Sequence, residues 1–493
     1  MGNTVKVNTA NLADLPARIA RPTFDRAQLK TGIVHISLGA FHRAHQAVYT
    51  DDLLAKDPSA LASWGLCSVG ALPHDQKLCD QLSRQNNLYT VVTRDSDGMK
   101  ARVIGSLSDV LFAPADRGAV LAQMAKKTTK IVSLTVTERG YGHDPATGTL
   151  DKGRSDVAAD LMMPKNPKTA LGMVVEALNQ RREMGIAPFT VMSCDNLQKN
   201  GSLTRALTLE IAEQRDPRLA EWISEHGAFP NSMVDRITPA TSPNDVTEIR
   251  DHFGIDDAAP VVCEPFRQWI LEDEFTMGRP AWDEVGAQFV SDVYPYELTK
   301  LRLLNVAHSA FCYLGVLAGY DFVHEAITDP GIQRFVRRLM DEEITPTLPD
   351  APGIDLPSYK DMLIERFANP AIRDGLPRIC MDGSQKIGNQ MMPIVRDRLA
   401  AGGSVDLLGL AVASFIRCSR GTDEKGATIE VKDPLADKIK QAAKAGGDDP
   451  TPFLAIPEIF GSDLPQAEPF TKAVDYWLKR LHNNGAKAAV GEL

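Results

Sequence analysis

The sequence predicts an α/β domain followed by a predominantly α-helical domain, and three observations predict this fold class. Short apolar, β-branched runs alternate with helical patterns over the first part of the chain. Later, apolar residues three and four positions apart dominate, and strand-like runs almost cease. The length of 493 residues also exceeds the roughly 250 to 300 at which a single core stops growing. We therefore expect two domains, residues 1–290 and 291–493.

The strand candidates of the first domain are apolar runs rich in β-branched residues. They lie at 33–38, 64–72, 89–93, 130–136 and 189–193. Helical spacing follows the first run and recurs at Ala170–Glu183. Strands that alternate with helices are typical of a largely parallel sheet.

The second domain is predicted from six amphipathic helical patterns. They span residues 296–317, 331–343, 356–367, 391–401, 405–420 and 469–483. Two Pro/Gly-rich or polar joints, 345–353 and 445–452, are predicted to be loops because helical patterns continue on both sides.

Bulk composition favours a small molecule as the partner. The 54 basic and 64 acidic residues give a formal net charge of -10, which disfavours nucleic acid and anionic membranes as main partners. The 7 cysteines are scattered, so neither a disulfide framework nor a zinc ribbon is predicted. The start of the chain has no apolar signal region, and no run of about 18 apolar residues occurs, so we expect a cytoplasmic protein. The oligomeric state is left open.

The segment IVHISLGAFHRAHQ, residues 33–46, has the pattern of a strand, a tight turn and a helix. Such a turn presents free N–H groups and the helix dipole to a pyrophosphate, which predicts a Rossmann-type dinucleotide-binding domain. Ser37, Gly39, Ala40 and Phe41 would line the cofactor, and Arg43 would reach its phosphate oxygens. Of the G-x-G-x-x-G fingerprint only Gly39 is a glycine, so a turn without a ligand is the alternative.

An acidic residue follows the second predicted strand. Asp75 stands where a carboxylate can bind the ribose 2'-hydroxyl and repel a 2'-phosphate, which favours NAD over NADP. The neighbouring His74 and Lys77 weaken this preference. A simple turn residue is the alternative interpretation of Asp75.

The segment YPYELTKLRLLNVAHSA, residues 294–310, concentrates polar groups on an otherwise apolar helix. An α-helix would place His308 within about 80° of Lys300, and Asn305 about 140° from Lys300. Alcohol oxidation needs a base for the hydroxyl proton and donors for the developing negative oxygen. Lys300, desolvated at a domain interface, suits the base. Asn305 suits one donor and Asn196, after the strand FTVMS, suits a second, while His308 would bind a hydroxyl or orient Lys300. The alternative is a solvated lysine beside a buried Asn/His network.

Seven segments, in this order, resemble the polyol-specific long-chain dehydrogenase/reductase family. They are GAFHRAHQ (39–46), SLTVTERGY (133–141), FTVMSCDN (189–196), FPNSMVDRITP (229–239), VCEPFRQW (262–269), KLRLLNVAH (300–308) and MDGSQK (381–386). The resemblance implies an NAD-dependent oxidoreductase with Lys300 as catalytic base, Asn305 and Asn196 as oxyanion donors, and His308 beside them. It is expected to work without a metal, because no His/Cys/Glu cluster at ligand spacing occurs in the sequence.

The same resemblance assigns further site residues. It implies that Asp235, Arg378 and Lys386 contact the substrate, and that Glu297 and Glu138 relay the proton to solvent. Exposed glutamates need no function, so these last two assignments are the weaker ones.

Two departures from the family pattern concern affinity and specificity. Ser37 replaces the usual first glycine of the turn, and Val306 and Ala307 separate Asn305 from His308 where the family has Gly and Ser. We expect a polyol and ketose pair, D-mannitol and D-fructose first. Hexuronate (fructuronate) reduction and arabinitol 4-oxidation are the alternatives. A non-catalytic nucleotide-binding sensor is a remote one.

Overall fold

The computed structural model describes residues 4–144 and 147–493. The chain divides into two compact units after Tyr294, whereas the sequence predicted the boundary after residue 290. None of the described helices is both long and apolar enough to cross a membrane.

All strands found among the described residues belong to the first unit. They are β1 Val5–Lys6, β2 Ile19–Ala20, β3 Thr31–Ile36, β4 Gly65–Gly70, β5 Tyr89–Asp95, β6 Gly98–Ile104, β7 Leu107–Phe112, β8 Ile131–Leu134, β9 Thr190–Ser193, β10 Ser232–Asp235, β11 Ile255–Asp256, β12 Val261–Cys263, β13 Gln268–Glu272 and β14 Gln288–Val290.

The helices of this unit alternate with the strands. The α-helices are α1 Ala40–Ala44, α2 Gln46–Lys56, α3 Gln76–Arg84, α4 Arg117–Ala125, α5 Thr137–Gly140, α6 Ser155–Met162, α7 Ala170–Glu183, α8 Asn200–Arg215, α9 Pro217–His226 and α10 Pro243–Phe253. Short 3₁₀ turns span Thr9–Asp14, Arg26–Gln28, Pro58–Ala62, Pro73–Asp75 and Trp282–Val285.

The central sheet has five parallel strands in the order β7-β4-β3-β8-β9. The chain runs outward from β3 through β4 to β7, then returns to β8 on the other side of β3. This reversal makes the carboxyl ends of β3 and β8 a topological switch point, the place where open α/β sheets bind ligands. The arrangement confirms the predicted α/β class.

The central strands are buried on both faces, as expected of strands covered by helices on each side. β3 and β4 contain almost only buried residues. A Cβ on Gly32 would lie 1.6 Å from the carbonyl oxygen of Ser63, so the close approach at the start of β3 requires glycine.

Three smaller sheets accompany the central one. Their orders are β12-β5-β6-β2, β10-β13-β14 and β1-β11. β5 and β6 form an antiparallel hairpin through Asp95 and Gly98, which the sequence analysis did not predict. Gly98 adopts a φ of 118°, a conformation that favours glycine in tight turns.

The second unit is helical. Its α-helices are α11 Tyr294–Lys300 (which begins at the boundary), α12 Ala307–Leu317, α13 Val323–Thr328, α14 Pro330–Arg338, α15 Leu356–Phe367, α16 Leu376–Ile379, α17 Gly383–Lys386, α18 Met392–Ala400, α19 Asp406–Ser419, α20 Ala436–Gly446, α21 Thr451–Leu454, α22 Pro457–Phe460, α23 Glu468–Asn484 and α24 Ala486–Gly491. Three π-helical segments are π1 Leu301–Val306, π2 Leu339–Ile344 and π3 Ile387–Met391, and 3₁₀ turns span Thr345–Thr347 and Leu464–Gln466.

Helices with local capping signals have the predicted bounds. α7 begins after Thr169, whose side chain accepts from the N–H of Gly172, and α15 begins after Asp355, which caps the N–H of Ser358. The predicted single α-helix at 296–317 is instead α11, π1 and α12 in succession. That difference decides the geometry of the site.

Candidate active site

The turn after β3 has a backbone conformation that is unusual for its sequence. Ser37 has a φ of 136°, in the region that favours glycine, and its Oγ accepts a hydrogen bond of 3.2 Å from the N–H of Gly39. A Cβ on Gly39 would meet only that Oγ, at 3.4 Å. Ser37 therefore holds a strained conformation, and the space above Gly39 is open to an approaching ligand.

The guanidinium of Arg43 donates to backbone carbonyls. Its Nε donates to the carbonyl of Leu38 at 3.1 Å, its Nη1 donates to the carbonyl of Ala259 at 2.6 Å, and it lies over the ring of Tyr89. Arg43 is buried. Backbone carbonyls take up these two donors, and the phosphate contact of Arg43 stays a prediction. Arg43 stabilises the turn from beneath.

Asp75 has a structural role in the turn after β4. Its Oδ2 accepts from the N–H of Leu72 at 2.9 Å, and Oδ1 lies 3.6 Å from Nε2 of His74. A Cβ on Gly70 would come within 3.0 Å of the Cβ of Asp75, so the carboxylate stands at the carboxyl end of β4. These contacts are those of a turn residue, and a contact between Asp75 and a ribose stays a prediction.

Two stacked imidazoles lie next to the turn after β3, and the sequence analysis missed them. The rings of His35 and His42 are parallel, with centroids 3.5 Å apart. Nδ1 of His35 lies 2.7 Å from Oγ of Ser133, and Nε2 of His42 lies 2.9 Å from Oγ of Ser68. Burial lowers the pKa of His35 to about 3 and the pKa of His42 well below its usual value. Both rings are therefore neutral, and they join β3, β4 and β8 to the first helix.

The ends of β8 and β9 carry two of the predicted site residues. Glu138 lies in α5 after β8, Asn196 lies just after β9, and both are exposed. Asp195 joins the two strand ends, since its carboxylate accepts from the N–H groups of Val136 and Thr137, each at 2.9 Å. Because parallel strands end at one edge of a sheet, Glu138 and Asn196 belong to the same edge as the β3 turn. Asp195 is a positioning residue that the sequence analysis did not single out.

Asp235 is buried at the end of β10, with 4% of its surface exposed. Asn200 joins this strand to the β9 loop, because its Nδ2 donates to the carbonyls of Asp195 (3.0 Å) and Ser232 (2.8 Å), and its Oδ1 accepts from the N–H of Ser232. The segments that bear Asn196 and Asp235 are thus held together within the first unit.

In the second unit, π1 changes the directions of the three candidate catalytic side chains. A π-helix closes its hydrogen bonds from i to i+5, so it turns about 80° per residue instead of about 100°. Along α11, π1 and α12, Asn305 and His308 then each lie about 40° from Lys300, on opposite sides of it. The α-helical prediction of about 140° for Asn305 was wrong. The wide turn brings Lys300, Asn305 and His308 to one face.

Lys300 and its neighbours are held within the helical core. Lys300 is 6% exposed and Glu297, one turn earlier, is 9% exposed. Arg302 anchors the π segment, because it donates to the carbonyl of Thr347 at 2.9 Å and pairs with Asp397 at 2.7 Å. An arginine inside an apolar run is a sign of this irregularity, but helical periodicity alone does not explain it.

His308 has an unusual environment for an imidazole. Its ring packs against Phe311 and Phe367, and its Nε2 is buried without a hydrogen-bond partner among the described residues. Burial lowers its pKa to about 4, although the carboxylate of Asp374 opposes that shift. A neutral ring with an unsatisfied nitrogen is suited to a hydroxyl group of a ligand.

Arg378 and Lys386 lie in the segment that follows α15. Arg378 is exposed and makes a bidentate pair with Asp374 at 2.8 and 2.6 Å. Nζ of Lys386 donates to the carbonyl of Ile379 at 2.9 Å, and burial lowers its pKa. Both appear among the charged groups that act on His308, so these residues share one region of the second unit.

The described residues contain no group of three or more His, Cys, Asp or Glu side chains arranged to hold a metal ion.

Comparison with known proteins gives consistent matches over both units. Residues 31–284 match the model of the mannitol dehydrogenase Rossmann domain, and residues 292–482 match that of the mannitol dehydrogenase C-terminal domain. The mannitol 2-dehydrogenase of Neosartorya fischeri is 44% identical over 491 residues, which is 98% of this chain and 97% of the relative. That of Pyricularia oryzae is 44% identical over 495 residues, 98% of each chain.

Two solved structures are also similar over nearly the whole chain. The Pseudomonas fluorescens mannitol 2-dehydrogenase ternary complex with NAD and D-mannitol has a TM-score of 0.89 at 42% identity, covering 99% of both chains. A D-sorbitol dehydrogenase in substrate-free form has a TM-score of 0.90 at 38% identity, covering 98% of this chain and 100% of the other.

Proposed function

The chain belongs to the mannitol dehydrogenase family, and from that premise we propose that it is an NAD-dependent oxidoreductase that interconverts D-mannitol and D-fructose. The names of the similar fungal and bacterial enzymes given above contain mannitol, and oxidation of D-mannitol at C2 gives D-fructose. The observation that carries a catalytic role is the shared face of Lys300, Asn305 and His308 across π1. A helix built only for packing has no need of these three polar groups on one face.

The first unit suits a dinucleotide. The switch point between β3 and β8, the open space above Gly39, and the N–H groups of the first turn of α1, which have no partner inside the helix, fit a pyrophosphate. Ser37, Gly39, Ala40 and Phe41 would hold the cofactor there, and Asp75 would face its ribose. When bound, NAD accepts the hydride from the carbinol carbon.

The protein's own groups handle the proton and the oxygen. Lys300 takes the hydroxyl proton as general base, and Glu297, one turn earlier and nearly buried, passes it toward solvent. The side-chain amide of Asn305 donates to the oxygen as negative charge develops, and we assign the second donor to Asn196. Glu138 stays a proposed relay residue.

Substrate hydroxyls are proposed to bind to neutral and charged side chains. His308 offers a neutral ring nitrogen without a partner in the described structure. Asp235, Arg378 and Lys386 are proposed to bind further hydroxyls. Arg378 is already paired with Asp374, so it acts as part of an ion pair, an arrangement that suits a neutral polyol better than the carboxylate of a hexuronate.

The decisive experiment compares substrates by NADH absorbance. D-mannitol and D-fructose should be turned over with the highest kcat/KM, ahead of D-sorbitol, arabinitol and fructuronate. A higher kcat/KM for fructuronate would overturn the substrate assignment. The absence of turnover with all five, together with intact NADH binding, would favour the non-catalytic sensor.

A lysine variant tests the assignment of the base. Lys300→Ala should lower kcat by about 10² to 10⁴, the range for loss of a positioned proton-transfer group, while the fold persists by circular dichroism. The exposed Lys472→Ala, a lysine in α23 of the same unit, is the matched control. Retained turnover in Lys300→Ala contradicts the mechanism. Loss of wild-type turnover on EDTA treatment would contradict metal independence.

A further inference from the structure

We propose that Cys312 and Cys380 are a modification site, a dithiol that closes reversibly to a disulfide and so alters polyol binding in the second unit. The pair is observed as two thiols whose sulfur atoms lie 3.4 Å apart. Its functional consequence rests on the proposed function, whereas formation of the bond does not.

The two cysteines belong to elements that pack together. Cys312 is fully buried on α12, one turn after His308, and Cys380 ends the short helix α16. Cys380 is partly exposed, so a small oxidant can reach it. A disulfide has an S–S length of about 2.05 Å, so closure needs a movement of about 1.4 Å. The end of a four-residue helix can supply such a shift.

The surrounding charge favours Cys380 as the group that reacts first. Burial raises the pKa of the Cys312 thiol well above its usual value, so Cys312 stays protonated and acts second. The ammonium group of Lys386 lies close enough to act electrostatically on both cysteines. Cys380 is also the partly exposed thiol of the pair, so it meets the oxidant first.

The chemistry uses a hydroperoxide as oxidant. The Cys380 thiolate attacks hydrogen peroxide, which breaks the O–O bond, forms a sulfenic acid and releases hydroxide. The Cys312 sulfur then attacks the sulfenic sulfur, an S–S bond forms, and water leaves with the Cys312 proton. Overall two thiols are oxidised and one peroxide is reduced to two waters. A dithiol reductant reverses the step by thiol–disulfide exchange.

Closure would act on the residues proposed to bind substrate. The carbonyl of Ile379, adjacent to Cys380, accepts the hydrogen bond from Lys386 at 2.9 Å. A shift of Cys380 toward α12 moves this carbonyl and changes the position of Lys386 relative to His308. We expect the KM for polyol to rise about tenfold, the effect of losing one charge-assisted hydrogen bond, while the KM for NAD changes little.

Peptide mass mapping of the full-length protein tests the site directly. After dilute hydrogen peroxide, the expected product has lost two hydrogens and yields one cross-linked peptide pair that contains Cys312 and Cys380. Dithiothreitol should restore both thiols and the original KM. Cys380→Ser should abolish the cross-link. If Cys380→Ser folds poorly, Cys312→Ala is the second variant, and it should also abolish the cross-link.

Cys418→Ser is the matched control. Cys418 is a nearby buried thiol whose Sγ lies 3.4 Å from the carbonyl of Tyr313, and its removal should leave the cross-link intact. A different cysteine pairing, or oxidation of Cys380 to a sulfinic acid without a cross-link, overturns the proposal. A correct cross-link with an unchanged KM for polyol overturns the coupling to substrate binding. Since the mapping needs no turnover, failure of the proposed function would not affect it.

Discussion

Acidification should destabilise the first unit through the stacked pair of His35 and His42. Both rings are fully buried and neutral, and a proton on either would place a charge in the core against the other ring. Burial lowers the pKa of His35 to about 3 and the pKa of His42 well below its usual value. In the unfolded chain both titrate near 6.5. The unfolded state therefore binds more protons below this pH, and stability is lost as the pH falls from about 6.5.

The magnitude follows from proton linkage. Between pH 7.5 and 5.5 each histidine that is protonated only in the unfolded state lowers the free energy of unfolding by about 1.4 kcal/mol. The pair therefore contributes about 3 kcal/mol. Burial also lowers the pKa of His45 to about 3. His45 therefore adds a similar amount to the pH-dependent loss of unfolding free energy in the wild type, but it does not change the difference between the wild type and a His35 variant.

Urea unfolding at the two pH values measures this loss. Four of the 5 tryptophans, Trp64, Trp222, Trp269 and Trp282, lie in the first unit, so fluorescence reports mainly on that unit. His35→Gln should reduce the pH-dependent loss by about 1.4 kcal/mol, whatever its effect on stability at pH 7.5. His226→Gln, at an exposed position, is the matched control and should leave the loss unchanged. A wild-type loss below about 1 kcal/mol would refute the argument.

Three further predictions concern positioning residues. Residue 37 has a φ of 136°, so the Ser37→Gly variant should be about 1 kcal/mol more stable than the Ser37→Ala variant. Ser37→Gly should also bind NADH more tightly than Ser37→Ala. Equal melting temperatures of the two variants would show that the turn is unstrained. Asp195→Ala, which removes the acceptor for two backbone N–H groups, should lower stability by about 2 to 3 kcal/mol and lower kcat because the Asn196 loop loosens. Arg302→Met should lower kcat about tenfold with an unchanged dissociation constant for NADH, and Arg302→Lys should recover part of the loss; a change only in melting temperature would make Arg302 purely structural.

The parts of the fold that local patterns encode were predictable. The apolar run of β3 with its glycine turn, and helices with their own caps such as α7 and α15, have nearly the predicted bounds because periodicity and capping are local. The hairpin of β5 and β6 was missed because its second strand, GMKARVI, has mixed polarity that periodicity does not distinguish from a loop. Its pairing with β5 is a tertiary property.

The candidate site was predicted by residue type and not by direction. Arg43 was expected to reach phosphate oxygens because it lies about one turn inside the helix, and the structure shows its guanidinium donating to the carbonyls of Leu38 and Ala259. The partner Ala259 is more than 200 residues away along the chain, and no local pattern reveals it. Asp195 escaped notice for the same reason, since its acceptor role depends on the adjacency of β8 and β9.

The π segment shows how far residue spacing alone can determine catalytic geometry. In an ideal α-helix Asn305 would point about 140° away from Lys300. The two side chains could then not both reach the same substrate oxygen from this helix. π1 removes this conflict, and it packs against two other π segments, π2 and π3. A π turn is rare inside an α-helix and frequently lies at a functional site. The ion pair of the buried Arg302 with the half-exposed Asp397, and the hydrogen bond of Arg302 to the carbonyl of Thr347, anchor this turn. Arg302 therefore anchors the turn that sets the directions of Lys300 and Asn305, which is why a substitution at Arg302 should change turnover.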